Sequence, residues 1–126
     1  MRAELDPMLD GLTESIIGAA FAVCRGLGDG FLESVYKNSL CLELAAAGLR
    51  VTKERSFPVT YRGEQVGRYV ADMVVNDCVI VELKAVEALS NAHGAQVLNY
   101  LKASGLPVGI LLNYGKPRVE VRRIIR

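Results

Sequence analysis

The chain has few features that would mark a metallothiol, disulfide-stapled or membrane-spanning protein. Its three cysteines, Cys24, Cys41 and Cys78, are odd in number and form no CxxC pair. They lie inside apolar runs, where free cysteine packs like a small hydrophobe, so reduced, buried thiols are expected and disulfides, zinc and iron sites are not. Charge of one sign is also lacking. Fifteen basic residues against fourteen acidic ones leave a net charge of +1, so any surface that binds an anion has to be local. The longest apolar stretch, Ile16 to Cys24, has nine residues, against the ~20 that a bilayer requires. Before it stand Arg2 and the acids Glu4, Asp6, Asp10 and Glu14, the wrong sign for a secretory leader. A cytoplasmic protein that does not cross a membrane is expected. No internal repeat or low-complexity segment is present.

What is present suits one domain, residues 1–126, with 51% hydrophobic and 23% charged residues and enough apolar surface to build a core. Ile16, Ile17, Ala20, Phe21 and Cys24 recur at helical spacing behind Thr13, which is expected to cap the first helix. Val35, Tyr36, Leu40, Leu44 and Ala47 repeat the pattern after the glycine cluster Gly26-Leu27-Gly28-Asp29-Gly30, and Gly48 ends the second helix. From Leu49 the residues favour strands, with turns at Arg62-Gly63-Glu64 and Asn76-Asp77-Cys78, which predicts a three-stranded antiparallel meander. A third helix from about Ser90 to Ser104 leads into the apolar run Val108 to Leu112, a parallel crossover. Val119 to Ile125 closes an edge. The order ααβββαββ predicts an α/β or α+β sandwich around one mixed sheet.

Three ionisable residues interrupt the most apolar strands: Asp72, Glu82 and Lys84. Burying unpaired charge costs several kcal/mol or more, so each needs a reason. If Asn76-Asp77-Cys78 is a three-residue loop, Val75 pairs with Val79 and Asp72 falls opposite Glu82. Lys84 then shares the face of Glu82. A two-residue turn would put the carboxylates on opposite faces. Two facing carboxylates and an ammonium form a hard oxygen site for Mg²⁺ or Mn²⁺, with the lysine left to hold or polarise a water. The same residues also fit a buried ion pair between Lys84 and the carboxylates, with no chemistry.

Gln96 and Tyr100 stand at i and i+4 on one face of the third helix. His93 nearby reads as a surface or cap residue. On the second helix Gly30, Glu33 and Tyr36 recur every three residues. Glu33 suits the positive end of the helix dipole, or it supplies a third carboxylate to the metal.

Gly30-x-x-Glu33-x-x-Tyr36, Asp72, Glu82-x-Lys84, Gln96-x-x-x-Tyr100 and the closing Gly109-Ile110-Leu111-Leu112-Asn113-Tyr114-Gly115 together resemble the GxxExxY protein family, assigned to the PD-(D/E)XK nuclease superfamily. The resemblance covers roughly Ile16 to Ile125. It implies a restriction-endonuclease-like sandwich, and a metal-dependent nuclease in which Asp72 and Glu82 hold Mg²⁺ or Mn²⁺ with Glu33 as a further acid. Lys84 would be the catalytic lysine. Gln96 and Tyr100 match the QxxxY element of the RecB-like branch and would contact substrate, as would Tyr36. Ala71 stands where the superfamily name has proline. Nucleic acid is the implied partner, with DNA favoured over RNA. The basic residues Arg50, Lys53, Arg55, Arg62 and Arg68, and Lys116, Arg118, Arg122, Arg123 and Arg126, could guide it or simply be solvated strand faces. A homodimer could add gripping surface that so small a chain lacks. The alternative is a non-catalytic module of the same fold that binds nucleic acid or protein.

Overall fold

The computed structural model describes residues 6–126. Arg2 and Glu4, part of the argument against a leader, lie outside them. The elements follow in the expected order: α1 (Pro7–Leu27), α2 (Glu33–Ala46), β1 (Val51–Tyr61), β2 (Glu64–Val75), β3 (Val79–Lys84), α3 (Asn91–Ser104), β4 (Val108–Asn113) and β5 (Glu120–Ile125). One sheet carries the strands in chain order. β1, β2 and β3 form the antiparallel meander, β4 runs parallel to β3, and β5 returns antiparallel as an edge.

The centre of the sheet is covered on both faces, and its strands alternate to match, while most of β1 and the first half of β2 stay exposed. Val81 and Leu83 of β3 and Ile110 and Leu112 of β4 pack with Ile16 and Ala20 of α1 and Tyr36, Leu40 and Leu44 of α2. On the other face Ile80 meets Tyr100 and Leu101 of α3, and Leu111 meets Val97. Each fully buried aliphatic side chain of this kind contributes about 1.5–3 kcal/mol, so the parallel pair β3 and β4, buried on both sides, carries the centre of the fold. Gly109 lets α3 lie flat on β4: a Cβ there would stand 2.5 Å from Cγ1 of Val97.

The first helix begins earlier than its apolar period suggests. Asp6, not Thr13, is the cap, its side chain accepting a hydrogen bond from the Leu9 N–H with Pro7 in the first turn. The opening turns contribute Leu9 and Leu12, partly buried against the core, so the apolar face of α1 extends a further two turns before Ile16. Thr13 lies inside α1 and is buried. Its hydroxyl donates to the Asp10 carbonyl and accepts from Arg123. At 21 residues α1 is long and apolar enough, by length and composition, to cross a membrane, a reach that the nine-residue count understates. Here its Ile16, Ala20 and Val23 face is packed into the core. All three cysteines are free, as expected, though half-buried.

The end of β3 is tied to the end of β4 by one side chain. Asn113 is fully buried. Its Oδ1 accepts from the N–H groups of Val86 and Gly115, and its Nδ2 donates to the Val86 carbonyl and to Glu120. The Tyr114 N–H also donates to the Lys84 carbonyl. The chain leaving Lys84 is thereby held in place on both sides.

Candidate active site

The register that decides the site is the one a three-residue loop requires. Val75 pairs with Val79, Val74 with Ile80 and Met73 with Val81, and the loop residues Asn76 and Asp77 both adopt positive φ, 51° and 55°. Beyond Met73 and Val81 the backbone ladder stops and side chains continue it. The Asp72 N–H donates to Oε1 of Glu82 at 2.6 Å, and the Leu83 N–H donates to Oδ2 of Asp72 at 2.9 Å. Asp72 and Glu82 are therefore neighbours joined through the backbone, as expected of directly opposed positions.

Glu82 is only 3% exposed. Burial pushes its carboxyl up to about 8, with the negative charge of Asp72 adding to the effect and Lys84 partly offsetting it. The sign of the pH dependence follows from this rise. In the unfolded chain the group ionises near 4.5, so the folded protein holds a proton that the unfolded chain has released. The stability this group contributes is full below pH 4.5 and is lost as pH rises through about 8. With metal chelated, wild-type protein is expected to melt at lower temperature at pH 9 than at pH 6. Glu82→Gln should remove most of that slope and be the more stable protein at pH 9, by on the order of 2–3 kcal/mol. Thermal melts of both proteins across pH in EDTA measure this; a wild-type slope retained in the variant would refute it.

Lys84 ends β3 on the Glu82 side, half-buried, and has no ion-pair partner within 4 Å among the described residues. The ion pair at the site is made by a different lysine. Lys37, from α2, sets Nζ 2.9 Å from Oδ1 of Asp72 and 3.4 Å from Oε1 of Glu54. Burial alone would lower its pKa, but the hydrogen bond and charge of Asp72, with those of Glu54, outweigh it and the net shift is upward. A Lys84 ion pair is thus replaced by a Lys37 one.

Glu33 occupies the first turn of α2, half-buried, one turn before Lys37. Among the described residues no three His, Cys, Asp or Glu side chains are grouped so as to hold one ion, and the structure does not bring Glu33 together with Asp72 and Glu82 as such a group. Tyr36 also departs from its expected role at the substrate. It is 1% exposed, its ring is stacked on Tyr114 at 4.5 Å, and its hydroxyl donates to the Gly28 carbonyl and accepts from the Phe31 N–H. This tyrosine pins the loop between α1 and α2, where Gly30 has φ 99°, and has no surface left for a ligand.

Tyr100 does border the carboxylates. Its hydroxyl pKa is raised, first by burial and then by the charges of Glu82 and Asp72. Its ring lies 5.2 Å from that of Tyr69, an aromatic partner the sequence patterns did not single out. Gln96 sits half-buried one turn earlier on the same helix. His93 is a cap residue: its Nδ1 accepts the Ser90 N–H at the start of α3. Of the basic residues, Arg50 and Arg55 pair with Asp77, Lys116 with Glu120 and Arg123 with Asp10. Such exposed pairs contribute little to stability.

The donors fit a hard divalent cation. Two carboxylates lie side by side, one of them buried and held protonated well above its ordinary range by that burial and by the charge of its neighbour, and oxygen is their only donor type.

Solved structures of similar fold include "Crystal structure of SSO0001", with TM-score 0.56 and 17% identity over 74% of this chain and 49% of that one. Another is the alkaline exonuclease LHK-Exo from Laribacter hongkongensis, with TM-score 0.56 and 14% identity over 87% of this chain and 68% of that one. The chain thus spans about half the length of the first and two thirds of the second. No curated protein matches its sequence. The family model of the PD-(D/E)XK nuclease superfamily matches residues 10–124. With nearly the whole length matched and a mixed five-stranded sheet bearing the paired acids, the chain belongs to the PD-(D/E)XK nuclease superfamily.

Proposed function

We propose that the chain is a metal-dependent phosphodiesterase acting on nucleic acid, with DNA favoured over RNA, in the GxxExxY branch of its superfamily. The observation that carries this reading is the carboxylate pair joined across β2 and β3, with Glu82 buried and its carboxyl raised by that burial and by the charge of Asp72. Asp72 and Glu82 would hold the ion, Mg²⁺ or Mn²⁺. When bound, such an ion neutralises the scissile phosphate and lowers the pKa of a coordinated water. Lys84, two residues along the same strand from Glu82, would orient the attacking water through its ammonium. Tyr100 and Gln96 would line the path of the substrate. The exposed Arg62 and Arg68 of the long β1 and β2 hairpin would meet its phosphates.

The test is direct. Purified protein incubated with single- and double-stranded DNA and RNA should cleave in Mg²⁺ or Mn²⁺ and not in EDTA. Binding of nucleic acid with no metal-dependent cleavage of any of them would instead support the non-catalytic module of the same fold.

A further inference from the structure

Resting on that reading of the carboxylate pair, we propose that Lys37 is an internal counter-ion that holds Asp72 in the metal-free protein and transfers to Glu54 when a divalent cation enters, so that this one ammonium sets the ion affinity. Asp72 has two carboxylate oxygens. Oδ2 is committed to the Leu83 N–H and Oδ1 to Lys37. Oδ1 is therefore the oxygen for which a cation and the ammonium compete. Glu54 offers the ammonium a second place without a long journey, because Nζ already stands 3.4 Å from it. The lysine stem is flexible enough to make so short a shift.

The position of Glu54 is built rather than incidental. β1 and β2 pair Lys53 with Met73 and Arg55 with Ala71, and the pair between them is missing. The two residues at that gap are Glu54 and Asp72. Glu54 adopts φ 53°, a left-handed conformation that costs a glutamate free energy. It is also the more solvated partner, its side chain 62% exposed against 15% for Asp72. A lysine moved onto Glu54 would leave Asp72 and the buried Glu82 to the cation while staying paired.

The experiment is a calorimetric titration of Mn²⁺ into wild type, Lys37→Met and Glu54→Gln, with thermal melts in EDTA and in Mn²⁺. Lys37→Met should bind the ion about tenfold more tightly or better, as removal of a competing charge in contact with a ligand implies. It should also show a lower melting temperature in EDTA and a larger rise on adding Mn²⁺. Glu54→Gln, at an exposed position where folding is not at stake, removes the second place for the ammonium and should weaken the ion about threefold or more. If wild type binds Mn²⁺ and Lys37→Met binds it equally or less tightly, the exchange is overturned while the metal reading stands. Unchanged affinity in Glu54→Gln overturns it as well. If neither wild type nor Lys37→Met binds the ion, both the exchange and the metal-dependent function fall.

Discussion

Replacing Lys84 with alanine is expected to lower the rate of metal-dependent cleavage by about 10²–10³-fold, the range that one positioned donor supplies through electrostatic stabilisation, while leaving the fold and the ion affinity in place. The separation of effects follows from the surroundings of this lysine. It closes β3 through its backbone, whose carbonyl accepts from Tyr114, and its ammonium pairs with no carboxylate among the described residues. Its removal therefore orphans no buried charge. It does lift a partial offset to the raised Glu82 carboxyl, so apo stability above neutral pH should fall slightly. Single-turnover cleavage beside Mn²⁺ titration separates the two effects. A rate within a few-fold of wild type would remove Lys84 from the chemistry.

Gly115→Ala is expected to destabilise the protein by about 3 kcal/mol or more, enough to lower Tm by roughly 10 °C in a chain of this size. A Cβ on Gly115 would run into the backbone N and O of Val86 and approach its carbonyl carbon to 2.6 Å. Nothing flexible can yield, since the same Val86 is held by Asn113 through both its N–H and its carbonyl. Gly11→Ala provides the contrast. That glycine lies within α1 with nothing within 4 Å of a new Cβ, so alanine should stabilise by about 0.5–1 kcal/mol. Chemical denaturation of both variants gives the comparison, and equal stabilities would show that the Gly115 contact is not rigid.

The carboxylate pair could be read from the chain because strand register is arithmetic. A three-residue loop at Asn76-Asp77-Cys78 forces Val75 onto Val79, and the acids Asp72 and Glu82 then become neighbours. Lys37 and Glu54 escaped that arithmetic. They reach Asp72 from a helix and a neighbouring strand, and a lysine on an amphipathic helix usually marks its solvated side. A hint was available in their spacing, since Lys37 follows Glu33 by one turn and so shares its face. Tyr36 shows the opposite failure: its place in a motif suggested contact with substrate, whereas its ring and hydroxyl are spent on Tyr114 and the α1–α2 loop. Periodicity reports which side of a helix is apolar but not whether a tyrosine hydroxyl on that side finds its partner inside or outside.

Because acid side chains take over the hydrogen bonding of β2 and β3 past Met73 and Val81, the protonation and occupancy of the site are written into two main-chain amides, those of Asp72 and Leu83. Their proton resonances form a built-in spectroscopic gauge of the centre, readable without substrate or probe. The same coupling gives alanine scanning a double meaning at these positions. Truncating Asp72 strips a backbone N–H of its acceptor as well as removing a ligand, so Asp72→Asn and Glu82→Gln, which keep an oxygen in each place, are the substitutions that can tell architecture from chemistry.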